Sequence, residues 1–490
     1  MKKVTLLALA ILGGTTSFAQ LTTPDNGVNY SLSTLSALDP SVLSFDGTKY
    51  TLSDDLIIAE SDTLEISTSD TLLLDTDKRI TVEGSFIVDP ASNNGKFIIS
   101  SMDTLNPADG IRFDEFSVAS IKNTEITYIG GLKVLTEDFT ISDSYLAHNV
   151  SGASTGAVIS LSRGAALIQN NTFYKNDLPA VGSGANQTVA AQILNNWIEK
   201  NGQSNANRPQ LNMGPTGTDT LRIIGNTIIG DAAMVKVGGI AVSNFLGANI
   251  NAEIENNVIR NNRYGISIGG PNAIVLIKGN TIEDNITQND PNLGGSGISV
   301  NSSSDSQRIR VRENKIRRNL WGITVIGDAS VDLGTTTDYG NNLFSENGNN
   351  GAIYALFNNT SLDISAMGNC WIESNENADA PLIEAIISHQ LDDPSLGLVD
   401  FSNWSCGILS TDKYELADIN VYPNPAENLI SVANDLDFEV VRFFNVRGEL
   451  VKTESLKKGE NQINLELPTG LYIIKFVNKS QSVSKKLVVR

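Results

Sequence analysis

One segment built on asparagine recurs along the middle of the chain, and its period constrains the fold more than any other feature. NTFYKN (171–176), NNWIEKN (195–201), NTIIGD (226–231), NNVIRNN (256–262), NTIEDN (280–285), NKIRRN (314–319) and NNLFSEN (341–347) align on Asn171, Asn196, Asn226, Asn257, Asn280, Asn314 and Asn342. The spacings run from 23 to 34 residues, and Asp143 and Asn369 extend the series. An apolar residue follows each anchor by two positions: Phe173, Ile198, Ile228, Ile259, Ile282, Ile316, Phe344. A second Asn or Asp follows by five: Asn176, Asn201, Asp231, Asn262, Asn285, Asn319, Asn347. Ile or Val precedes most anchors by three, as at Ile168, Ile193, Ile223, Ile254, Ile277 and Val311.

Alternation over runs of three to five residues is strand-like. Asparagine tolerates the left-handed backbone of a sharp bend. Stacked asparagines also hydrogen-bond from rung to rung at the ~4.8 Å spacing of stacked strands. A coil of about three short strands cannot bury its apolar face alone, so neighbouring coils must stack into a solenoid. A leucine-rich repeat would need leucine columns that are absent, and a propeller blade needs four strands in ~40 or more residues. The expected fold is therefore all-β, a right-handed parallel β-helix of about ten coils over residues 51–375. Residues 20–50 would cap one end, and 376–412 the other with a linker.

The formal net charge of −20 argues against nucleic acid and anionic membranes as partners. It is unevenly spread: residues 21–110 hold four basic against fifteen acidic side chains, and 413–490 eleven against ten, which marks a separate C-terminal module. Two cysteines and two histidines (His148, His389) leave no room for a Cys/His zinc cluster. Cys370 and Cys406 are candidates for a disulfide in an oxidising compartment, but spacing alone does not pair them. Lys2, Lys3, the apolar run Val4–Leu12 and the small residues Ser17 and Ala19 read as a signal peptide over 1–19. No other stretch reads as membrane-spanning.

Residues 413–490 carry VYPNPAENLISV, VVRFFNVRGELVKTE, INLELPTGLYIIKFVN and a basic terminal strand, separated by turn residues, as in a small β-sandwich. Tyr422-Pro423-Asn424-Pro425, the hairpin around Gly448 and the Gly470-Leu471-Tyr472 strand start resemble the type A sorting domain of type IX secretion in the Bacteroidota. That resemblance implies export across the outer membrane, with the type IX machinery as partner and a secreted or outer-membrane surface location. Asp62-Thr63-Leu64, Asp70-Thr71-Leu72, Asp103-Thr104-Leu105 and Asp219-Thr220-Leu221 resemble the O-glycosylation acceptor of the same phylum. GNCWIES (368–374) and LVDFSNW (398–404) resemble the closing segment of secreted bacterial β-helix proteins.

The solenoid itself is similar to pectate-lyase-like proteins, a group spanning lyases, hydrolases and adhesins, so the fold does not choose a function. The Asn-Thr-Asp and Gly-His-Gly segments of polygalacturonases are missing, as is a nucleophile elbow. Lyases of this fold use an Arg or Lys base, with carboxylate-bound Ca²⁺ as the only cofactor the reading admits. If the residue three before each anchor points inward, those two and four before it point outward. Glu253 and Glu255, then Leu276 and Lys278, then Arg310 and Arg312 would stack there as a uronate-binding or proton-abstracting catalytic patch, or as a plain ion-pair ladder. Tyr264 and Trp321, each seven after its anchor, would face sugar rings or fill a turn. The aligned asparagines are expected to be scaffold. Asp54-Asp55 and 289–295 are acidic loops that could ligate calcium. The function expected is glycan or matrix binding by a secreted or surface β-helix. The alternatives are a polysaccharide lyase acting on acidic glycans and a structural surface-layer component.

Overall fold

The computed structural model describes residues 20–90, 95–244, 246–375, 377–406, 420–434, 438–445, 449–478 and 482–490. The signal-peptide reading of 1–19, most of the linker and the turn at Gly448 lie outside the described residues. The chain divides into two compact units, 1–407 and 408–490.

In the first unit, three long sheets wrap one core. Among the described residues, sheet A has 14 strands, from Leu21–Thr22 to Ile387–Ser388. Sheet B has 12, from Asn29–Tyr30 to Val331–Asp332, and sheet C has 13, from Leu43–Phe45 to Leu343–Ser345. The chain visits A, B and C in turn and pairs each strand in parallel with its counterpart one coil on, which makes a right-handed parallel β-helix. Among the described residues of these three sheets, the first pair of sheet C, Leu43–Phe45 with Tyr50–Leu52, is the one antiparallel exception. Sheet B, the shortest, sets the number of full coils at twelve, against the expected ten or so. The coils at 56–74 and 79–101 lack an anchoring asparagine, and Leu21–Thr22 and Asn29–Tyr30 already pair as strands.

Alternation decides what goes inside. In Arg79–Val82 and Ser85–Val88 every second residue is fully buried, and Ile80, Val82, Phe86 and Val88 join the continuous core. Each such side chain contributes about 1.5–3 kcal/mol relative to exposure, before ordering entropy is subtracted. At the N-terminal end helix α1 (Leu32–Leu38) buries Leu32 and Leu35 against that core, and a capping box between Ser31 and Thr34 starts it. At the other end Trp371 stacks on Phe344, rings 4.8 Å apart, and the disulfide Cys370–Cys406 closes the last turn.

The anchoring asparagines form an internal ladder at the corner between sheets B and C, each at most 2 % exposed. Asn280 is representative. Its Oδ1 accepts from the Asn257 backbone N–H and Nδ2 at 2.9 Å each, and its Nδ2 donates to Asn314 Oδ1 at 2.9 Å and the Ile254 carbonyl at 2.8 Å. The run reaches Asn369 at one end and Ser144 at the other. Ser144, and not Asp143, therefore holds that rung. Asp143 takes the bend, with φ 51°, as do Asn170, Asn195, Asn256, Glu313 and Asn341. The left-handed residue is thus the one before the anchor, a correction to the expectation that the anchors themselves bend. The neighbour turns the chain, and the anchor's amide is left pointing inward where the rungs above and below saturate it.

A second ladder runs through Asn149, Asn176, Asn201, Asn262, Asn285, Asn319 and Asn347. Asp231, placed in this column by sequence, is not part of it. Gln210, fully buried, fills the gap: its Oε1 accepts from Asn201 Nδ2 at 3.2 Å and its Nε2 donates to Asn262 Oδ1 at 2.9 Å. A carboxylate only accepts, so Asp231 would break the donor chain. It turns instead to Gln203 and the Ala233 amide.

The second unit is a small antiparallel sandwich. Asn420–Tyr422, Leu429–Asn434 and Gly459–Asn464 form one sheet, and Leu450–Ser455, Val440–Asn445, Gly470–Val477 and Ser482–Val489 the other. Its own core includes Ile430, Val432, Phe443, Ile474, Phe476 and Leu487. Asn424 of the Pro-Asn-Pro segment clamps the terminal strand, donating to the Lys486 carbonyl at 2.7 Å and accepting from the Val488 amide at 2.9 Å.

Candidate functional site

The outer face of sheet B carries the charged columns. Register places Arg222, Glu253, Leu276, Arg310 and Asp332 in one row, and Glu255, Lys278 and Arg312 in the next. Glu253, Leu276, Arg310 and Asp332 of the first row floor a concavity of about 500 Å³, whose lining includes Asn251, Ile274 and Arg308. Alternation explains the layout. In Ile250–Glu255, Ala273–Lys278 and Arg308–Arg312 the inward residues are Ala, Ile and Val, and the intervening side chains must face out.

Charges on this face are partly paired. Arg222 Nε donates to Glu253 Oε2 at 2.8 Å, and Lys278 lies 3.3 Å from Glu313, with no ion pair to Glu255. Arg308 and Arg310 are both exposed. Among the described residues neither has a carboxylate within ion-pair distance, and Arg308 donates only to the Asp305 and Gln307 carbonyls. Ile274, 59 % exposed, pairs in register with Arg308 and adds an apolar patch to the floor.

Arg312 is not part of the open patch, which corrects its sequence assignment. Its side chain is 5 % exposed and lies between Asp332 and Asp338, at 2.7 and 2.9 Å. It also donates to the Val311 and Asp332 carbonyls. Burial pulls its pKa down, and the hydrogen bonds it donates to Asp338 and Asp332 more than reverse that. The Arg312 hydrogen bond in turn holds Asp338 below the usual carboxylate range. Asp338's depressed pKa means its contribution is present above its unfolded pKa and is lost as pH falls through the folded one. Arg312→Met is expected to cost about 2–3 kcal/mol at pH 7, less than a fully buried pair because both aspartates can rehydrate. The cost should shrink toward pH 3. Chemical denaturation at both pH values checks it, and a pH-independent loss would contradict the pairing account.

Tyr264 and Trp321 share one column with Ser296 between them. Tyr264 is half-buried with its ring over Gly238, where an added Cβ would come within 2.2 Å of it, and burial pushes its phenol up to about 12. Trp321 packs against Tyr354 and Phe357, rings 4.7 and 5.0 Å away, and its indole N–H donates to the Pro291 carbonyl. Both rings are thus engaged by their own coil neighbours. His148 stacks on Tyr128. His389 is 1 % exposed, bridging Glu384 and the Val399 amide.

No group of three or more His, Cys, Asp or Glu among the described residues is arranged to hold a metal ion. Asp54 pairs with Lys78, Asp55 accepts from the Arg79 amide, and Asp290 caps the Asn292 amide. Of the four Asp-Thr-Leu segments, 103–105 is exposed throughout, whereas Asp62 is 1 % exposed and accepts from the backbone amides of 25–28.

Arg222 and Asp332 escaped the sequence reading for different reasons. Arg222 sits four before Asn226, in the same column as Glu253, so carrying the column one coil back finds it. Asp332 lies ten before Asn342, because six extra residues between strand and anchor break the spacing.

Comparison with known proteins follows this division. Residues 420–490 match a secretion system C-terminal sorting domain, and residues 268–376 match a family described as a protein of unknown function, DUF1565. No curated protein matches the chain. Among solved structures, the periplasmic alginate epimerase AlgG aligns over 76 % of this chain and 80 % of its own at 14 % identity, with a TM-score of 0.41. No helix among the described residues is long and apolar enough to cross a membrane. The protein is a right-handed parallel β-helix carrying a type IX C-terminal sorting domain, which addresses it to the exterior or the outer-membrane surface.

Proposed function

We propose that the β-helix is a secreted or surface-bound binder of anionic polysaccharide, held across the sheet B concavity. The observation that carries this reading is the pair Arg308 and Arg310, two exposed guanidiniums with no carboxylate within ion-pair distance among the described residues, in a chain of net charge −20. Guanidinium forks match carboxylate and sulfate geometry, and Ile274 beside them offers apolar contact to a sugar face. Flat sheets stacked at constant spacing suit an extended polymer, which gains many weak contacts along its length.

Affinity electrophoresis in polygalacturonate and in alginate tests it. Retardation is expected for the mature protein, to weaken at least tenfold in Arg308→Ala/Arg310→Ala, and to fall with salt as screened contacts do. Equal retardation of the double variant would remove the assignment. Unsaturated product released in the same incubation would make the site eliminative, with Lys278 the first residue to test as base.

A further inference from the structure

The outer face of sheet C holds a second feature, unrelated to the charged columns of sheet B. Register aligns Tyr145, Thr172 and Trp197 in one outward row, and Ala147, Tyr174 and Glu199 in the next. The residues between them, Leu146, Phe173 and Ile198, are fully buried, so the rings are surplus to the core. Trp197 is 44 % exposed. At the edge of the same face Tyr128 and His148 stack with centroids 5.1 Å apart, and His148 meets Tyr174 edge-on at 6.0 Å. Farther along the first row the residues are Thr227, Val258, Thr281, Lys315 and Leu343, so the rings are confined to consecutive coils.

We infer that this aromatic strip is a binding platform for a neutral polysaccharide running parallel to the helix axis. Tyr145 and Trp197 are two coils apart, roughly 9–10 Å. Tyr174 stands on the coil between them, offset along the strand. One coil spacing is close to the advance of one pyranose in an extended chain, so sugars two apart meet Tyr145 and Trp197, and the sugar between them lies over Thr172 with Tyr174 beside it. Ring faces take the C–H face of a sugar, while phenol and indole edges keep polar partners, which suits a ligand with both kinds of surface.

The rim decides the charge class. Glu125 and Glu199 are opposed by Lys175 and Lys200. Trp197 Nε1 donates to Glu199 Oε2 at 2.9 Å, Lys200 lies 3.4 Å from the same carboxylate, and Lys175 Nζ sits 5.5 Å over the Tyr174 ring. Asp231 also faces Lys175 and Lys200, so acids outnumber bases along this rim, which disfavours a polyanion while offering donors and acceptors to hydroxyl groups.

Affinity electrophoresis of the mature protein in hydroxyethylcellulose, soluble xylan, galactomannan and soluble starch tests the inference. Retardation in at least one is expected, insensitive to salt, at least tenfold weaker in Tyr145→Ala/Trp197→Ala and unchanged in Arg308→Ala/Arg310→Ala. The last arm separates this strip from the sheet B site: either one can fail without the other. Thermal melting of the aromatic variant should match the parent, because the side chains removed are outside the core. Absence of retardation in all four polymers overturns the inference. So does full retardation of the double aromatic variant, or a dimer of the parent that Trp197→Ala dissociates, which would make the strip a contact between copies.

Discussion

Asn280→Asp is expected to destabilise the β-helix by roughly 3–5 kcal/mol at neutral pH, although it changes only one atom's element and protonation. The parent side chain saturates a buried rung, accepting twice through Oδ1 and donating through Nδ2 to Asn314 and to the Ile254 carbonyl. An ionised carboxylate keeps the acceptor but turns the donor into a second acceptor facing three oxygens, those of Asn314, Ile254 and Lys278, in a site with no exposure. Desolvation and repulsion raise the introduced carboxyl's pKa in the folded state above its unfolded value. The folded state then binds the extra proton, so stability rises as pH falls from above the folded pKa toward the unfolded one. Asn280→Ala should cost about 2–4 kcal/mol through the orphaned partners, with no such pH dependence. Thermal melts at pH 4.5 and 8 check both. A loss in Asn280→Asp of the same size at both pH values would refute the ladder's proton accounting.

The ladder was legible in the sequence only in part. The ladder's spacing was, because one amide must meet the next through every coil and the identity of the residue is therefore repeated. The backbone bend beside it was misplaced by one residue. Paired letters such as Asn256-Asn257 hold two jobs that composition cannot separate, one bending the chain at φ 55° and one saturating the rung. Gln210 was invisible for a different reason: it reaches the second ladder from a position outside the column, and no periodicity marks a substitute of different length. In the candidate site, Glu253, Lys278 and Arg310 were readable from strand alternation. The fate of Arg312 was not, since Asp338 arrives on an inserted loop whose length the repeat does not govern. The aromatic strip was missed because Tyr145 and Trp197 become neighbours only when the lower coil is registered on Ser144.

Replacing Cys370 and Cys406 together by Ser is expected to cost about 4 kcal/mol, confined to the last coils. The bond closes a loop of sequence separation 36 and so restricts the unfolded chain by about that amount in the loop-entropy model. Its position adds a local reason. An open-ended stack exposes its terminal core face, here the Phe344–Trp371 pair, to whatever covers it. The cover is the segment from helix α2 (Ala380–Glu384) to residue 406, which adds the strand Ile387–Ser388 to sheet A and pairs Val399–Asp400 with Ile364–Ser365. The Ser405 amide donates to the carbonyl of Asn369, the last rung of the ladder, at 3.1 Å, directly beside Cys406. Cys370 meanwhile donates to the Asn342 carbonyl and accepts from the Phe344 amide. The disulfide therefore fastens the cover to the end of the ladder at the point where the ladder has no further coil to continue it. Without it, the cover should open at a lower free energy than the coils beneath, as nearest-neighbour stability in a solenoid requires. Hydrogen exchange should then show faster exchange at 343–371 and 383–406, with protection at 190–320 unchanged, and a red-shifted tryptophan emission from Trp371. Uniform loss of protection along the whole stack, or none, would show that the closing segment does not act as a cap held by this bond.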